Sequence, residues 1–452
     1  MRNTIHFRKA SVLVLLVMLA LAGTAQTSFT LGDFNYQVND DGVSVTLTGY
    51  ANAQGQELII PASVSYQGHD YAVTVIGDNA FLYGYFNGRL VIPNTVTRIG
   101  DAAFAYCCNL TGDLVIPNSV THIGASAFQI CYGFTTLTLG DGVTVIGEYA
   151  FNSCDGLTGV VNIPSSVTSV GNNAFGYCDL DGFSVATDNS VYDSRENCNA
   201  IIETATNELI AGCRNTIIPK DVAAIGEDAF KGCAGLTSID IPESVVTIGA
   251  GAFSFCFALT GNLTIPNAVT TIGAGAFFQC SGLNGTLTIG ESVTFIGDYA
   301  FRQCYGITEA VSLATTPPEL GNEPGWNCVV FESFGTPTLT VPCSCAEAYQ
   351  NSPWYDPIGL NGFTTFVEDC DAVAETGNAL PTLFPNPTNG IVSIEAEGLR
   401  SISIYNLLGE CLYQGTADGH AFTYDFSRHE AGIYLIVIET AHGTTTQRLS
   451  VL

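Results

Sequence analysis

The chain has very few basic residues. Among its 452 residues there are 13 Lys and Arg against 42 Asp and Glu, which gives a formal net charge of −29. Beyond the first 25 residues, lysine occurs only at Lys220 and Lys231. Because nucleic acid backbones and anionic head groups are bound by clustered Lys and Arg, we expect neither nucleic acid nor an anionic membrane surface as a partner.

Motifs for catalysis and metal binding are missing as well. The sequence has no H-E-x-x-H, G-x-S-x-G or P-loop motif, and no C-x-x-C or H-x-x-x-H pair that would suit a metal. Between residues 70 and 370 the only histidine is His122. Since an enzyme needs a nucleophile, base or metal gathered in a pocket, we predict a non-enzymatic protein with no catalytic residues, no cofactor and no metal.

Only one long apolar run occurs, and it lies at the start. The run Ala10 to Ala22 follows Arg8 and Lys9 and precedes the small residues of a cleavage site, Gly23-Thr24-Ala25. This arrangement is typical of a secretory signal peptide over residues 1–25. A membrane anchor is the less favoured interpretation, because a spanning helix needs roughly 20 apolar residues. We therefore expect an exported protein with no membrane span in its mature form.

The strongest signal in the sequence is an internal repeat. The dipeptide Ala-Phe recurs at intervals of 23, 24, 23, 24, 55, 23, 24 and 24 residues. In each unit an Ile-Gly or Val-Gly dipeptide places its Gly four residues before the Phe. Cys follows the Phe by three positions in every unit except the first, where Gly84 stands. A fixed period in the twenties is typical of a solenoid. The nine repeat phenylalanines are Phe81, Phe104, Phe128, Phe151, Phe175, Phe230, Phe253, Phe277 and Phe301.

The sequence of each repeat unit predicts two short strands and a turn. The alternation in Leu263-Thr264-Ile265-Pro266 predicts a short strand that ends at the proline. The Val-Thr-x-Ile-Gly segment predicts a second strand, followed by a helical or 3-10 turn that buries Ala and Phe. In five of nine units an acidic residue follows the Gly; we interpret it as a turn cap rather than a calcium or substrate ladder. Because a single coil leaves apolar residues open on both sides, the coils must stack.

These features predict a mostly β fold, a solenoid of nine coils of 23 to 24 residues over residues 73–314. The complete unit, with Ile-Gly, Ala-Phe, Cys, Leu-Thr and Ile-Pro, resembles the leucine-rich repeats of the BspA-like family of bacterial surface proteins. The resemblance implies a secreted or surface-displayed protein that acts in adhesion or protein recognition, with a host, matrix or other cell-surface protein as its partner. Glycan binding for nutrient capture is the alternative.

The predicted partner face is the outward residue between the two inward residues of each Leu-x-Ile-Pro strand. Its competing interpretation is structural, since Thr and Val simply suit strands. The residues at this outward position are Val91, Val115, Thr138, Asn162, Ser184, Asp240, Thr264, Thr288 and Ser312.

Aromatic residues near the turns are the only feature that supports the glycan alternative, because exposed rings can stack on sugars. We expect at least half of these rings to pack between neighbouring coils instead. They are Tyr83, Tyr85, Phe86, Tyr106, Tyr132, Phe134, Tyr177, Phe255, Phe257, Phe278 and Tyr305.

The 55-residue interval marks an insertion at about residues 179–216. Within it, Asn199 to Glu203 and Glu208 to Ala211 flank a turn and predict a β-hairpin. Cys198 and Cys213 bracket the hairpin symmetrically, so we predict a disulfide between them, with two free thiols as the alternative.

The eight repeat cysteines are predicted to behave differently. One Cys per coil at a fixed position forms a row in which each thiol has two equal neighbours, and free Cys packs well as a small buried group. We therefore favour a row of buried thiols over a disulfide framework.

The regions outside the repeat predict two covers and a separate tail. Residues 26–72 read as an N-terminal β cap and residues 315–370 as a C-terminal cap, which resembles the closing segment common in the BspA-like family. Residues 371–380 are small and polar, as in a linker. Several short strands with Gly-bearing turns over residues 381–452 predict a small β-sandwich.

The tail carries three ordered motifs, Pro-Asn-Pro-Thr-Asn-Gly from Pro385, Ile-Tyr-Asn-Leu-Leu-Gly from Ile404 and Ala-Gly-Ile-Tyr-Leu from Ala431. They closely resemble the C-terminal sorting domain of type IX secretion cargo. The resemblance implies recognition by the export and sorting machinery, and a location outside a Gram-negative cell, secreted or at the outer surface. The motif residues selected on this basis are Pro385, Asn386, Pro387, Gly390, Gly432 and Tyr434.

Overall fold

A computed structural model describes residues 27–51, 55, 57–321, 329–359, 361–370, 382–386, 388, 390–406, 409–440 and 443–451. The predicted signal peptide and linker lie outside these residues, as do Trp326, Cys328 and Pro387. The chain divides into two compact units, Met1–Cys370 and Asp371–Leu452.

The first unit is a solenoid with two rows of parallel strands, as the repeat predicts. In each coil after the first, a strand of two residues ends at the Ile, Val or Leu that precedes a glycine, and we call these strands the Ile-Gly row. Each pairs in register with the strands of neighbouring coils, for example His122 with Arg98 and with Val145. The Ile-Gly row contains Arg98–Ile99, His122–Ile123, Val145–Ile146, Ser169–Val170, Ala224–Ile225, Thr247–Ile248, Thr271–Ile272, Phe295–Ile296 and Glu319–Leu320.

The second row, the Ile-Pro row, is formed by the Leu-x-Ile-Pro segments. Its paired strands are parallel, as between Leu263 and Leu287. Residues 237–242 match the sequence pattern but form no strand. The row contains Leu58–Ile59, Leu90–Val91, Gly112–Val115, Phe134–Thr138, Val160–Ile163, Gly182–Val185, Gly261–Ile265, Leu283–Ile289, Glu309–Ser312, Thr338–Pro342 and Thr365–Asp369.

The turn that carries Ala-Phe differs from the predicted helical turn. The backbone amides of Asn79, Phe81 and Tyr83 donate to carbonyls of the next coil at 2.8, 2.7 and 2.9 Å. The intervening amides bond three residues back within their own coil. An α-helix would satisfy its amides internally, whereas stacked coils offer a carbonyl to every second amide, so a series of tight turns replaces the helix.

This turn requires left-handed backbone two residues before and two residues after the Phe. Asn79 and Tyr83 in the first coil have φ of 57° and 57°. Glycine takes this conformation without steric cost, which explains why Gly251 and Gly275, both with φ of 62°, occupy the position two residues before the Phe in their coils.

The repeat phenylalanines form the centre of the core. Neighbouring rings stack nearly parallel, with centroids 5.1 Å apart for Phe81 and Phe104 and 5.0 Å apart for Phe253 and Phe277. Phe331 extends this ladder beyond the nine predicted units, with its ring 5.7 Å from that of Phe301. The sequence hides this tenth position because the 30 residues that separate it from Phe301 exceed the repeat period.

The repeat glycines permit the coils to approach closely. A Cβ atom placed on Gly124 would lie 2.6 Å from the backbone nitrogen of Asp101 in the preceding coil, a distance that side chains do not tolerate. The glycine column is therefore a packing requirement of the stack.

Both ends of the solenoid are covered. The N-terminal cover is an antiparallel meander with a hairpin, whose last strand joins the Ile-Gly row through the pairing of Val75 with Arg98. Its strands are Ser28–Leu31, Phe34–Val38, Ser44–Tyr50, Ser63–Tyr66 and His69–Ile76.

The C-terminal cover holds the helix Ala346–Gln350 and the fully buried Trp354, whose indole donates to the Pro318 carbonyl at 2.8 Å. A disulfide joins Cys343 to Cys370, and so ties together the ends of the last two strands of the Ile-Pro row. The sequence pattern alone does not predict that these two cysteines pair with each other.

The insertion contains the predicted hairpin, Ile201–Glu203 with Glu208–Ala211, extended by Tyr192–Asp193 and a 3-10 turn at Arg195–Asn197. Its last strand then pairs in parallel with Ala224–Ile225. The hairpin therefore returns the chain to the Ile-Gly row.

The predicted disulfide between Cys198 and Cys213 is not formed, because both residues are free thiols. The pairing shifts between Ile201 and Ile202, which removes the symmetry on which the prediction depended. Cys213 packs in the core cluster of the first coils, whereas Cys198 packs in that of the later coils. The insertion is thus the place where one core cluster ends and the next begins.

The second unit is an antiparallel β structure. Not all of its strands are short as predicted, because Ile391–Asn406 is one long strand, whose pairing is interrupted between Glu395 and Leu399. Ile394 and Ile404, on opposite sides of this interruption, are both buried in the same core. The strands of this unit are Thr382–Phe384, Ile391–Asn406, Cys411–Asp425, Gly432–Thr440 and Gly443–Val451.

Candidate binding surfaces

The outward residues of the Ile-Pro segments form one surface, which we call the recognition row. Val115 is 53% exposed and pairs in register with Thr138 of the next coil. Asn162, Asp240 and Thr264 are exposed as predicted, and Thr288 is half-buried. Asp240 reaches the surface from the segment that forms no strand.

One position of this row requires correction. Ser312 is 1% exposed, and its hydroxyl lies 2.7 Å from that of Tyr349 in the C-terminal cover. Val311 pairs with Thr288 instead. The unit reads Ala-Val-Ser in place of Leu-Thr-Ile, so the small Ser312 takes the inward site and shifts the outward position by one residue.

The structure also adds members to the recognition row. Ile217 is 75% exposed and Val367 is 48% exposed. Ile217 could have been found from the sequence, because Thr216-Ile217-Ile218-Pro219 inside the insertion matches the Leu-x-Ile-Pro pattern.

The recognition row carries little charge although the protein is strongly acidic. Asp240 is the one ionisable side chain among the positions named above. Acidic residues that flank the row are hydrogen-bonded to neighbouring coils, since Thr136 donates to Asp113 at 2.6 Å and Thr286 donates to Glu309 at 2.8 Å. The arrangement presents a line of small and β-branched side chains that can contact a partner closely.

The aromatic residues divide into buried and exposed groups. Phe86 and Phe134 are fully buried, whereas Tyr83 and Tyr85 are 59% and 69% exposed. The remaining residues with substantial exposure are Tyr132, Phe257 and Tyr305. Those that are half-buried are Tyr106, Tyr177, Phe255 and Phe278.

The repeat cysteines are buried free thiols, as predicted. In seven coils the thiol donates to the backbone carbonyl of the Phe in the preceding coil, for example from Cys131 to Phe104 at 3.1 Å. Burial raises the pKa of Cys107, Cys233 and Cys304 to about 12. These thiols are packing groups, because a nucleophile or metal ligand needs the thiolate.

The acidic column ties one coil to the next. The carboxylate of Asp78 accepts from the backbone amide of Asp101 at 2.9 Å, and that of Asp101 accepts from Ala125 at 2.9 Å. The sequence predicts a cap on each residue's own turn; the structure places the accepted amide in the following coil.

One group of potential metal ligands is found among the described residues. Ligand atoms of Cys343, Glu368 and Cys370 lie within 4.8 Å of one another. The two sulfurs form the disulfide, so neither is a thiolate in this state.

Two of the sorting-motif residues, Asn386 and Tyr434, make side-chain hydrogen bonds within the tail. The side chain of Asn386 donates to the Arg448 carbonyl at 2.8 Å and accepts from the Ser450 amide at 3.0 Å. The hydroxyl of the buried Tyr434 donates to the Glu430 carbonyl at 2.7 Å. Gly390 and Gly432 have open space where a Cβ would lie. In the part of the tail that the structure describes, Asn386 thus joins the first strand region to the last strand.

Within the described residues, no helix is both long enough and apolar enough to cross a membrane.

Two family models match the chain. The BspA type leucine rich repeat region matches in six copies over residues 74–201 and 207–322, and the secretion system C-terminal sorting domain matches residues 382–452. Neither of these two descriptions names an enzyme family. No curated protein matches the chain.

Several solved structures are similar to this chain. The pneumococcal vaccine antigen PcpA has 17% sequence identity and a TM-score of 0.52, covering 76% of this chain and 99% of that one. A leucine rich cell surface protein from Faecalibacterium prausnitzii has 27% identity and a TM-score of 0.44, covering 64% and 96%. A leucine-rich repeat protein from Bacteroides ovatus has 18% identity and a TM-score of 0.33, covering 76% and 100%.

The repeat match takes in more than half of the chain, and it contains the whole thiol row, the nine repeat phenylalanines of the ladder and most strands of the two rows. The chain therefore belongs to the BspA-type leucine-rich repeat family, and it carries a C-terminal sorting domain of the type IX secretion system.

Proposed function

We propose that this chain is a secreted or outer-surface protein of a Gram-negative bacterium that binds a host, matrix or other cell-surface protein through the recognition row, without catalysis. The signal peptide expected at residues 1–25 and the sorting domain account for its export. The observation that carries the binding proposal is the row itself, exposed and nearly uncharged along successive coils.

The chemistry of the row suits a protein partner. The central part of a protein interface is depleted in charge, and the recognition row has that composition on a chain whose net charge is −29. The acidic remainder favours a partner with basic residues around its contact area, because complementary charge steers association.

The test is a binding assay of the mature protein against extracellular-matrix and host surface proteins. For any partner found, Thr138→Arg and Thr264→Arg should each weaken binding at least about tenfold, because both place a long charged side chain in the exposed row. Ser169→Arg, at an exposed position of the Ile-Gly row, is the matched control and should bind normally. Equal effects of all three variants would contradict the assignment of the row.

Glycan capture remains the second candidate function, and the exposure of Tyr83 and Tyr85 favours it. Screening the same protein on a glycan array separates the two functions, because strong glycan binding without any protein partner supports nutrient capture.

The export proposal predicts the effect of removing residues 381–452. The first compact unit of the chain ends at Cys370, so the solenoid should keep its melting temperature when the tail is removed. The protein should accumulate in the periplasm and disappear from the surface and the medium, as measured by fractionation and surface proteolysis. Normal amounts of the truncated chain at the cell surface would show that the tail is not a sorting signal.

A further inference from the structure

A pocket of about 250 Å³ opens on the turns of the first two coils. Three phenol rings contribute to its walls, together with a thiol and a side-chain amide, and no residue that lines it is charged. The lining residues are Tyr83, Gly84, Tyr85, Tyr106, Cys108 and Asn109.

The repeat itself places two of these rings side by side. Tyr83 and Tyr106 both follow the repeat Phe by two positions, where the backbone is left-handed with φ of 57° and 63°. Their ring centroids are 4.6 Å apart. The next two coils carry Ile130 and Ser153 at this position, so the paired tyrosines belong to the first two coils.

The third ring is exposed because the first unit departs from the repeat. Gly84 replaces the repeat Cys, and a Cβ there would lie 2.4 Å from the ring of Phe86. Phe86 is fully buried and packs edge-on against Phe81 at 5.5 Å. Its burial fixes the loop and leaves the neighbouring Tyr85 69% exposed beside the pocket.

The lining chemistry defines the class of ligand. Aromatic faces take the apolar C–H face of a sugar, while the phenol hydroxyls and the Asn109 amide offer donors and acceptors for sugar hydroxyls. The volume lies below the roughly 300 to 1,000 Å³ of pockets for drug-sized ligands. We infer that this pocket binds a single ring of a neutral saccharide, an inference that rests on the second candidate function, glycan capture, and is independent of the proposed recognition row.

Charged ligands fit the pocket less well. No Lys or Arg lines it to hold a phosphate or carboxylate, and the net charge of −29 repels anions. A quaternary ammonium is bound between aromatic faces, but Tyr83 and Tyr106 lie against each other at 4.6 Å and leave no room between them.

Cys108 supplies a built-in reporter in the unmodified protein. It is an exposed free thiol in the pocket wall, whereas its neighbour Cys107 is buried. Methyl glycosides of glucose, galactose, mannose and N-acetylglucosamine should be tested at millimolar concentrations, with iodoacetamide labelling followed by mass spectrometry. At least one glycoside should slow labelling of Cys108 about tenfold at saturation, while the exposed Cys411 of the tail labels at an unchanged rate.

Variants locate the protection. Tyr83→Ala and Tyr106→Ala should each raise the glycoside concentration needed for half-protection about tenfold, while Tyr305→Ala, an exposed tyrosine of a distant coil, should leave it unchanged. The inference is overturned if no glycoside protects Cys108, if protection survives in both tyrosine variants, or if choline protects and the glycosides do not. If a variant fails to fold, the labelling of Cys108 in the unmodified protein still tests whether the pocket binds a saccharide. Neither outcome of the labelling changes the expectation that a protein partner binds the recognition row.

Discussion

Replacing Phe253 by Ala should lower the free energy of unfolding by about 3 to 5 kcal/mol, the usual range for a buried Phe. Phe253 is fully buried, and its ring lies 4.9 Å from that of Phe230 and 5.0 Å from that of Phe277. The coils above and below are held at a fixed distance by backbone hydrogen bonds to both sides, as from Phe253 to Ala276 at 2.7 Å. The stack cannot collapse into the gap, so the cavity should persist.

Urea denaturation followed by circular dichroism measures this loss. The control is Phe257→Ala, which removes a ring of the same size that is 48% exposed in the same coil, and it should cost much less. Similar losses for Phe253→Ala and Phe257→Ala would mean that the ladder does not carry the stability of the coils.

The repeat period determined most of this architecture in advance. The aligned Leu-x-Ile-Pro, Ile-Gly, Ala-Phe and Cys positions of nine units were sufficient to predict two strands per coil, the buried ring column and the thiol row, because identical residues at a fixed period must form rows when coils stack. The form of the turn was not predictable in this way. A helical turn and a series of tight turns bury the same Ala and Phe, and the choice depends on carbonyls offered by the neighbouring coil.

Predictions that depended on one local segment fared less well. A shift of one residue within the hairpin left Cys198 and Cys213 unpaired, and a one-residue change in alternation moved Ser312 inward. The sequence identified the aromatic residues near the turns but could not separate Phe86, which is buried, from Tyr85, which is exposed. That difference arises from the space left by Gly84, a three-dimensional property of the first coil.

The thiol row should make the protein unusually sensitive to alkaline pH. Burial raises the pKa of Cys131, Cys154 and Cys256 well above the ordinary value of 9.0. Because the folded state holds these protons more tightly than the unfolded state, the stability they contribute is present below about pH 9 and is lost as the pH rises through the window up to the folded pKa. At pH 10 the expected loss is about 1 kcal/mol for each thiol, and of the order of 10 kcal/mol for the eight together.

Urea denaturation at pH 8 and pH 10 under a reductant should reveal this loss, and a single substitution assigns it to the row. In Cys256→Ala the difference in unfolding free energy between the two pH values should shrink by about 1 kcal/mol, because one buried thiol no longer titrates. Cys411→Ala removes an exposed thiol of the tail and should leave the difference as it is in the unmodified protein. The tyrosines whose pKa is raised to about 12, Tyr36, Tyr177 and Tyr349, are present in all three proteins and cancel in the comparison. If Cys256→Ala and the unmodified protein lose the same stability between pH 8 and pH 10, the repeat thiols are not protonated packing groups, and the row must be held together in another way.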